Sequence, residues 1–173
     1  VTLPERIVVA SANPKKAAEL AELLSTLPVE VMPRPPEVPE VIEDGDTFEA
    51  NALLKARAGV AATGLPTLAD DSGIEVDVLN GMPGVRSARR DPPSDVEPGR
   101  RRGRFVCAMA LVRPDGSEDV LRRTMEGVVV DAPTGANGFG YDPIFVTDGH
   151  SVSNAELSPD EKDAISHRGQ AVR

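Results

Sequence analysis

Short β-branched runs alternate along this chain with longer stretches whose leucines and alanines recur at helical spacing. Arg6-Ile7-Val8-Val9-Ala10 is the kind of run a buried strand needs, and it leads directly into Ser11-Ala12-Asn13-Pro14. A helix is predicted to follow, with Asn13 as N-cap and Pro14 in its first turn. Leu20, Leu23, Leu24 and Leu27 form its apolar stripe, and Pro28 is its stop. Val29 to Met32 is a candidate strand. Pro33, Pro35, Pro36 and Pro39 then impose an extended connector as far as Glu43-Asp44-Gly45. A second helix is predicted from about Thr47 to Ala62, capped by Asp46, with Glu49 three positions on as in a capping box and Gly64 as its stop.

Beyond Gly64 the period shortens. Leu65–Ala69 and Gly73–Leu79 read as two short strands separated by the acidic corner Asp70-Asp71-Ser72. Glu75 and Asp77 alternate with Ile74, Val76 and Val78, which gives the second strand one wet face. Asn80 to Gly103 carries no clear periodic element. Phe105–Val112, the turn Pro114-Asp115-Gly116 and Asp119–Val130 read as a hairpin. Gly138–Phe145 supplies a last strand. Ser158-Pro159-Asp160-Glu161 opens a final helix with a capping box and a proline in its first turn; Gly169 reads as the C′ residue, placing His167 and Arg168 in the last turn. There is no internal repeat. Strands and helices mix without a strict βαβ period, so the expected class is α/β, or α+β, with a mixed sheet. At 173 residues, one domain covering 1–173 is expected, large enough to bury a sizeable core.

A formal net charge of -9 argues against duplex nucleic acid and anionic membrane as partners, because either would meet a repelling field. A small phosphate ligand is not excluded by that sum, since local cations decide its fate. The single cysteine, Cys107, rules out an internal disulfide framework, and in Phe105-Val106-Cys107-Ala108-Met109 it reads as a small core hydrophobe. No apolar run approaches the roughly 18 residues of a membrane span, and no signal-peptide pattern opens the chain, so a cytoplasmic location is expected.

Candidate chemistry sits at the element ends. Of the chain's four phenylalanines and one tyrosine, three aromatics fall in Phe139-Gly140-Tyr141-Asp142-Pro143-Ile144-Phe145, and there is no tryptophan. Flanked by Gly140 and Asp142, they suit a flat surface for stacking a nucleobase; equally, Phe139 and Phe145 could simply enter the core at a turning strand. Lys15 and Lys16 stand in the first turn of a helix, where the dipole disfavours cations. Their placement makes sense if the backbone N–H groups, the Ser11 hydroxyl and the Lys16 ammonium converge on phosphate oxygens; otherwise they solvate the surface. Asn51 and Lys55 are four apart and share a helix face, so Lys55 either reaches into a cleft or is solvated. Asp70 and Asp71, as strand neighbours, point opposite ways and cannot do the same job: one could hold a hard cation or a water, with Glu43 as partner ligand, while the other braces the loop. Without a His- or Cys-rich cluster, any metal should be Mg²⁺ or Mn²⁺ bound by oxygen. Ser166-His167-Arg168 offers an imidazole beside a forked donor, suited to reading a base edge, although helix capping also explains it. His150 reads as exposed.

In order along the chain, five motifs resemble the inosine triphosphate pyrophosphatase family. They are Ser11-Ala12-Asn13-Pro14-Lys15-Lys16; Glu43-Asp44-Gly45-Asp46-Thr47-Phe48 with Asn51-Ala52-Leu53-Leu54-Lys55-Ala56; Ala69-Asp70-Asp71-Ser72-Gly73 with Gly81-Met82-Pro83-Gly84-Val85-Arg86-Ser87-Ala88-Arg89; Gly138-Phe139-Gly140-Tyr141-Asp142-Pro143-Ile144-Phe145; and Glu156–Lys162 with Ser166-His167-Arg168-Gly169. The resemblance implies a long mixed sheet with two lobes around a cleft, a homodimer, and Mg²⁺-dependent cleavage of inosine, deoxyinosine or xanthosine triphosphate to monophosphate and pyrophosphate. By similarity Asp71 is general base and metal-site residue and Glu43 a metal ligand. Ser11, Asn13, Lys16 and Lys55 are phosphate contacts, and Ser72 also touches substrate. Phe139 stacks on the base, Asp142, Lys162, His167 and Arg168 read it, and Gly140 and Tyr141 shape the pocket. The chain departs from the family at Arg90–Gly99, where a shorter segment stands in place of a glycine loop and a helix. A Maf-like pyrophosphatase and a non-catalytic nucleotide-binding sensor are the alternative readings.

Overall fold

The computed structural model describes residues 3–89, 97 and 101–173. Six strands form one sheet in the order β2-β1-β3-β4-β5-β6: β1 (Arg6–Val9), β2 (Glu30–Pro33), β3 (Thr67–Val76), β4 (Arg102–Val112), β5 (Glu118–Val129) and β6 (Phe145–Thr147). β1 runs parallel to β2 and to β3, whereas β5 and β6 are antiparallel, so the sheet is mixed, as expected. Four helices accompany it: α1 (Pro14–Leu24), α2 (Phe48–Thr63), α3 (Pro159–Ile165) and α4 (His167–Val172). The chain packs as two compact units, one of Val1–Asp71 and Ala108–Arg122 with Val172, the other of Ser72–Cys107 and Arg123–Ala171 with Arg173.

In the first unit, Ile7, Val8 and Val9 are buried on β1, and Leu20 and Leu24 carry the buried face of α1. Asn13 caps α1 as predicted, its Oδ1 accepting from the Lys15 and Lys16 N–H groups at 3.0 and 3.3 Å. α2 starts one residue later than its expected cap. Thr47, not Asp46, accepts from the Ala50 N–H, and Glu49 turns toward Arg122, 3.7 Å away, instead of closing a capping box. The helix stops at Gly64 in the left-handed conformation, as expected.

The largest departure is β3. Two short strands with an acidic corner were expected; a single ten-residue strand runs through Asp70, Asp71 and Ser72. The acids are tolerated mid-strand because each meets a lysine of its own unit, described below.

In the second unit, Ile74, Val76, Phe105, Met125, Val129, Ile144 and Phe145 form the core, with Phe105 and Phe145 edge-to-face at 4.6 Å between centroids. The predicted turn from β4 closes through Arg113 and Ser117, and Cys107 is buried as read. Only the end of the aromatic run is strand: Gly138 to Tyr141 are loop, Asp142–Ile144 a 3-10 turn, and Phe145 opens β6. Most of the shortened Arg90–Gly99 segment lies outside the described residues. Among the described residues no helix is long and apolar enough to cross a membrane.

Candidate active site

Alternation along β3 sends Asp70 and Asp71 to opposite faces, and each finds a different lysine. Asp70 Oδ2 lies 3.2 Å from Lys16 Nζ. Asp71 Oδ1 lies 3.3 Å from Lys55 Nζ, and its Oδ2 accepts from Asn51 Nδ2 at 3.1 Å. Lys55 Nζ also stands 3.3 Å from Glu43 Oε1, so one ammonium binds two carboxylates. Burial raises the Asp71 pKa and Glu43 pushes the same way; Lys55, Lys16 and the Asn51 hydrogen bond oppose the shift without cancelling it. The structure therefore gathers Glu43, Lys55 and Asp71 as a group and sets Lys16 on Asp70.

The loop before α1 is closed on itself. Ser11 Oγ accepts from the Asn13 N–H at 3.3 Å, while the Asn13 side chain occupies two of the N–H groups that were expected to face a phosphate. Any anion at this helix start would meet the lysine ammoniums more readily than the backbone.

In the second unit, α3 opens with the predicted capping box, but it ends at Ile165. Ser166 then caps a separate helix, its Oγ accepting from the Gly169 N–H at 2.9 Å. His167 and Arg168 thus open α4 instead of closing one long helix, and Gly169 is not a C′ residue. The cause is steric as well as local: a Cβ on Gly169 would stand 2.0 Å from the Asp163 carbonyl oxygen, so only glycine lets the two short helices meet at this angle. His167 and Arg168 therefore stand in the first turn of a helix, where the dipole disfavours a cation.

These residues assemble with the aromatic loop. Asp142, buried, accepts from the Phe139 N–H at 2.9 Å and from Lys162 Nζ at 2.6 Å. Lys162 Nζ lies 5.2 Å and Arg168 Cζ 5.5 Å from the Phe139 ring centroid, within cation–π range. Arg168 Nη2 donates to Ser72 Oγ at 3.0 Å. Tyr141 donates its hydroxyl to the Ser87 carbonyl at 3.0 Å, and Gly140 is exposed with φ +62. His167 is placed differently: its ring stacks on Phe105, 5.0 Å between centroids and 8° from parallel. His150 is exposed, as expected.

The sequence model of the Ham1 family matches residues 7–173, a span that contains all five motifs. The chain belongs to the Ham1 family. This Ham1-family chain is 49% identical to the dITP/XTP pyrophosphatase of Cutibacterium acnes, over 97% of its own length and 93% of the relative's. To the protein of the same name from Frankia alni it is 50% identical, over 97% and 94%. A HAM1 protein from Coxiella burnetii superposes with a TM-score of 0.84 at 39% identity, covering 98% of this chain and 95% of that one. The nucleoside-triphosphatase, or dITP/XTP pyrophosphatase, of Mycobacterium abscessus gives 0.74 at 49% identity, covering 96% of each.

Two residues of this Ham1-family site had no role in the motif reading. Asn51 shares a face with Lys55 and opens half of the second motif, but no role was assigned to it there, yet it bonds Asp71. Phe105, which backs His167, carries no local signal, because the two are distant in sequence and meet only in the folded core. Among the described residues no group of three or more His, Cys, Asp or Glu side chains is placed to hold a metal ion. Glu43 and Asp71 nonetheless fit a hard divalent cation completed by phosphate and water oxygens: both offer only oxygen, and both already turn toward one positive charge, the Lys55 ammonium.

Proposed function

We propose that this chain hydrolyses noncanonical purine nucleoside triphosphates, those of inosine, deoxyinosine and xanthosine, to the monophosphate and pyrophosphate. The observation that carries the reading is Asp71, buried, raised in pKa, and held by Lys55 on one oxygen and Asn51 on the other. A carboxylate lifted above its ordinary range is a stronger base than one in water, and a fixed one is aimed. Asp71 would take a proton from the water attacking the α-phosphorus; the bond from that phosphorus to the bridging oxygen breaks, and pyrophosphate leaves. Lys16 and Lys55 would neutralise charge developing on the phosphate oxygens, with Ser11 and Asn13 contacting them. Magnesium, or manganese in its place, held by Glu43 and Asp71, would supply further neutralisation there.

For the base, Phe139 offers a ring face, and Arg168 and Lys162 offer donors only. A 6-oxo purine satisfies such donors, whereas the 6-amino group of adenine would face a donor, at about 1–3 kcal/mol when buried. Guanine must be refused at its 2-amino group. Asp142 would act through Lys162 and the Phe139 backbone, Ser72 through Arg168, and His167, Gly140 and Tyr141 would shape the base pocket. The same reading carries a homodimer working in the cytoplasm. The similarity to pyrophosphatases named for dITP and XTP supports it.

Pyrophosphate release from a panel of nucleoside triphosphates in magnesium buffer is the test. Inosine and xanthosine triphosphates should exceed adenosine and guanosine triphosphates in kcat/KM by at least about tenfold, or ~1.4 kcal/mol, and Arg168→Ala should narrow that gap. No pyrophosphate from any nucleotide would leave a binding protein only; equal turnover of all four would reject the account of the base.

A further inference from the structure

Asn51 lies in the first turns of α2 and is 1% exposed. Its Oδ1 accepts from the Gly45 N–H at 2.9 Å, and its Nδ2 donates to Asp71 Oδ2 at 3.1 Å. Gly45 follows Glu43 by two residues, and Glu43 reaches the same Lys55 that holds Asp71 Oδ1. The contacts close a ring: Asn51 and Lys55, about one turn apart on α2, each join Asp71 to the segment carrying Glu43. Both Asp71 oxygens have a fixed partner, and the carboxylate cannot turn without breaking one of them.

A carboxamide suits this position because it donates to one neighbour, accepts from the other and adds no charge. A carboxylate would lose the donor and repel Asp71; an aliphatic side chain would orphan a buried N–H. The backbone at Gly45 is matched to it. A Cβ there would stand 2.6 Å from Asn51 Oδ1 and 2.9 Å from the Ala50 Cβ, so glycine is what lets the segment reach the amide. With both ends of the carboxamide engaged and the side chain buried, Asn51 is not placed to bind phosphate.

The geometry points to Asn51 as a positioning residue that fixes the orientation of the Asp71 carboxylate and draws the Glu43 segment against it, with Gly45 making the contact sterically possible. This rests on Asp71 being the base of the hydrolysis proposed above.

Steady-state pyrophosphate release from inosine triphosphate tests it on the full chain, alongside melting curves and calorimetric binding of a non-hydrolysable inosine triphosphate analogue. Asn51→Asp keeps the acceptor for Gly45 and removes the donor to Asp71. It should lower kcat at least about tenfold, the scale on which partners of a reacting or ligating group matter. KM and the analogue's Kd should stay within about threefold, since Asn51 itself is not placed to touch the nucleotide. Gly45→Ala, which leaves Asn51 in place, should lower kcat in the same way and decides the matter if Asn51→Asp does not fold. A merely structural asparagine would lower Tm and leave kcat per folded molecule unchanged. Folded Asn51→Asp turning over within about twofold of wild type, or losing activity through KM alone, overturns the inference. Inactive wild type overturns the hydrolase reading itself, and the inference with it.

Discussion

Replacing Asp142 with asparagine probes what holds the Phe139 loop to α3. Lys162 Nζ stands 2.6 Å from Asp142 Oδ2, and the two side chains are 7% and 4% exposed. Solvent screens this pair little, so the typical surface value of about 0–1 kcal/mol is the wrong scale. Removing one partner of a buried ion pair costs about 3–5 kcal/mol. The same oxygen accepts from the Phe139 N–H. An asparagine oxygen can keep that bond, so Asp142→Asn isolates the charge, whereas Asp142→Ala adds an orphaned N–H at about 1–3 kcal/mol more. For a chain of this length 1 kcal/mol moves Tm by about 2–4 °C, which puts Asp142→Asn about 6–20 °C below wild type. The double variant Asp142→Asn/Lys162→Met removes both charges and should recover most of the loss. Thermal melts and urea unfolding of wild type, Asp142→Asn, Lys162→Met and the double variant give the coupling directly. A single-variant loss under about 1 kcal/mol, or a double variant no better than Asp142→Asn, would refute the reasoning, because either means that the pair is screened or replaced.

Asp71→Asn should cut turnover by about 10² or more, the scale of general-base loss, and near-normal turnover would move the role elsewhere. Because burial raises the Asp71 pKa and the ionised form is the base, wild-type kcat/KM should fall as pH drops through a value above the usual aspartate range; an acid limb at the ordinary position contradicts this. Stability carries the opposite sign. The fold favours the protonated form, so the metal-free protein should lose this contribution as pH rises from the ordinary aspartate value through the raised one, and Asp71→Asn should lose that pH dependence. Lys16→Ala should weaken triphosphate binding. It should also lower Tm, since relief of the helix dipole alone is about 0.3–1 kcal/mol whereas Asp70, with a side chain 1% exposed, loses a counter-ion. Melting curves decide that sign. Gly169→Ala should destabilise by at least about 1–3 kcal/mol through its clash with the Asp163 carbonyl, and an unchanged Tm would show that the α3–α4 junction is pliable.

Local signals were legible wherever a residue's neighbours in sequence are also its neighbours in space. Asn13 caps α1, Gly64 ends α2 and Ser158 opens α3 with its capping box, because caps and turns are satisfied within a few residues. The motif order carried the family, and the opposite directions of Asp70 and Asp71 followed from strand geometry alone. Read locally, though, Asp-Asp-Ser-Gly is a turn. It is a strand because β1 and β4 flank β3 in the sheet and Lys16 and Lys55, far off in sequence, meet its acids. The break at Ser166 likewise needed the Asp163 carbonyl to lie against Gly169, and Asn51 became a partner of Asp71 only when α2 packed beside β3. Charge, period and caps are properties of a short window. Which lysine meets which carboxylate depends on contacts between distant segments, and those exist only once the sheet has formed.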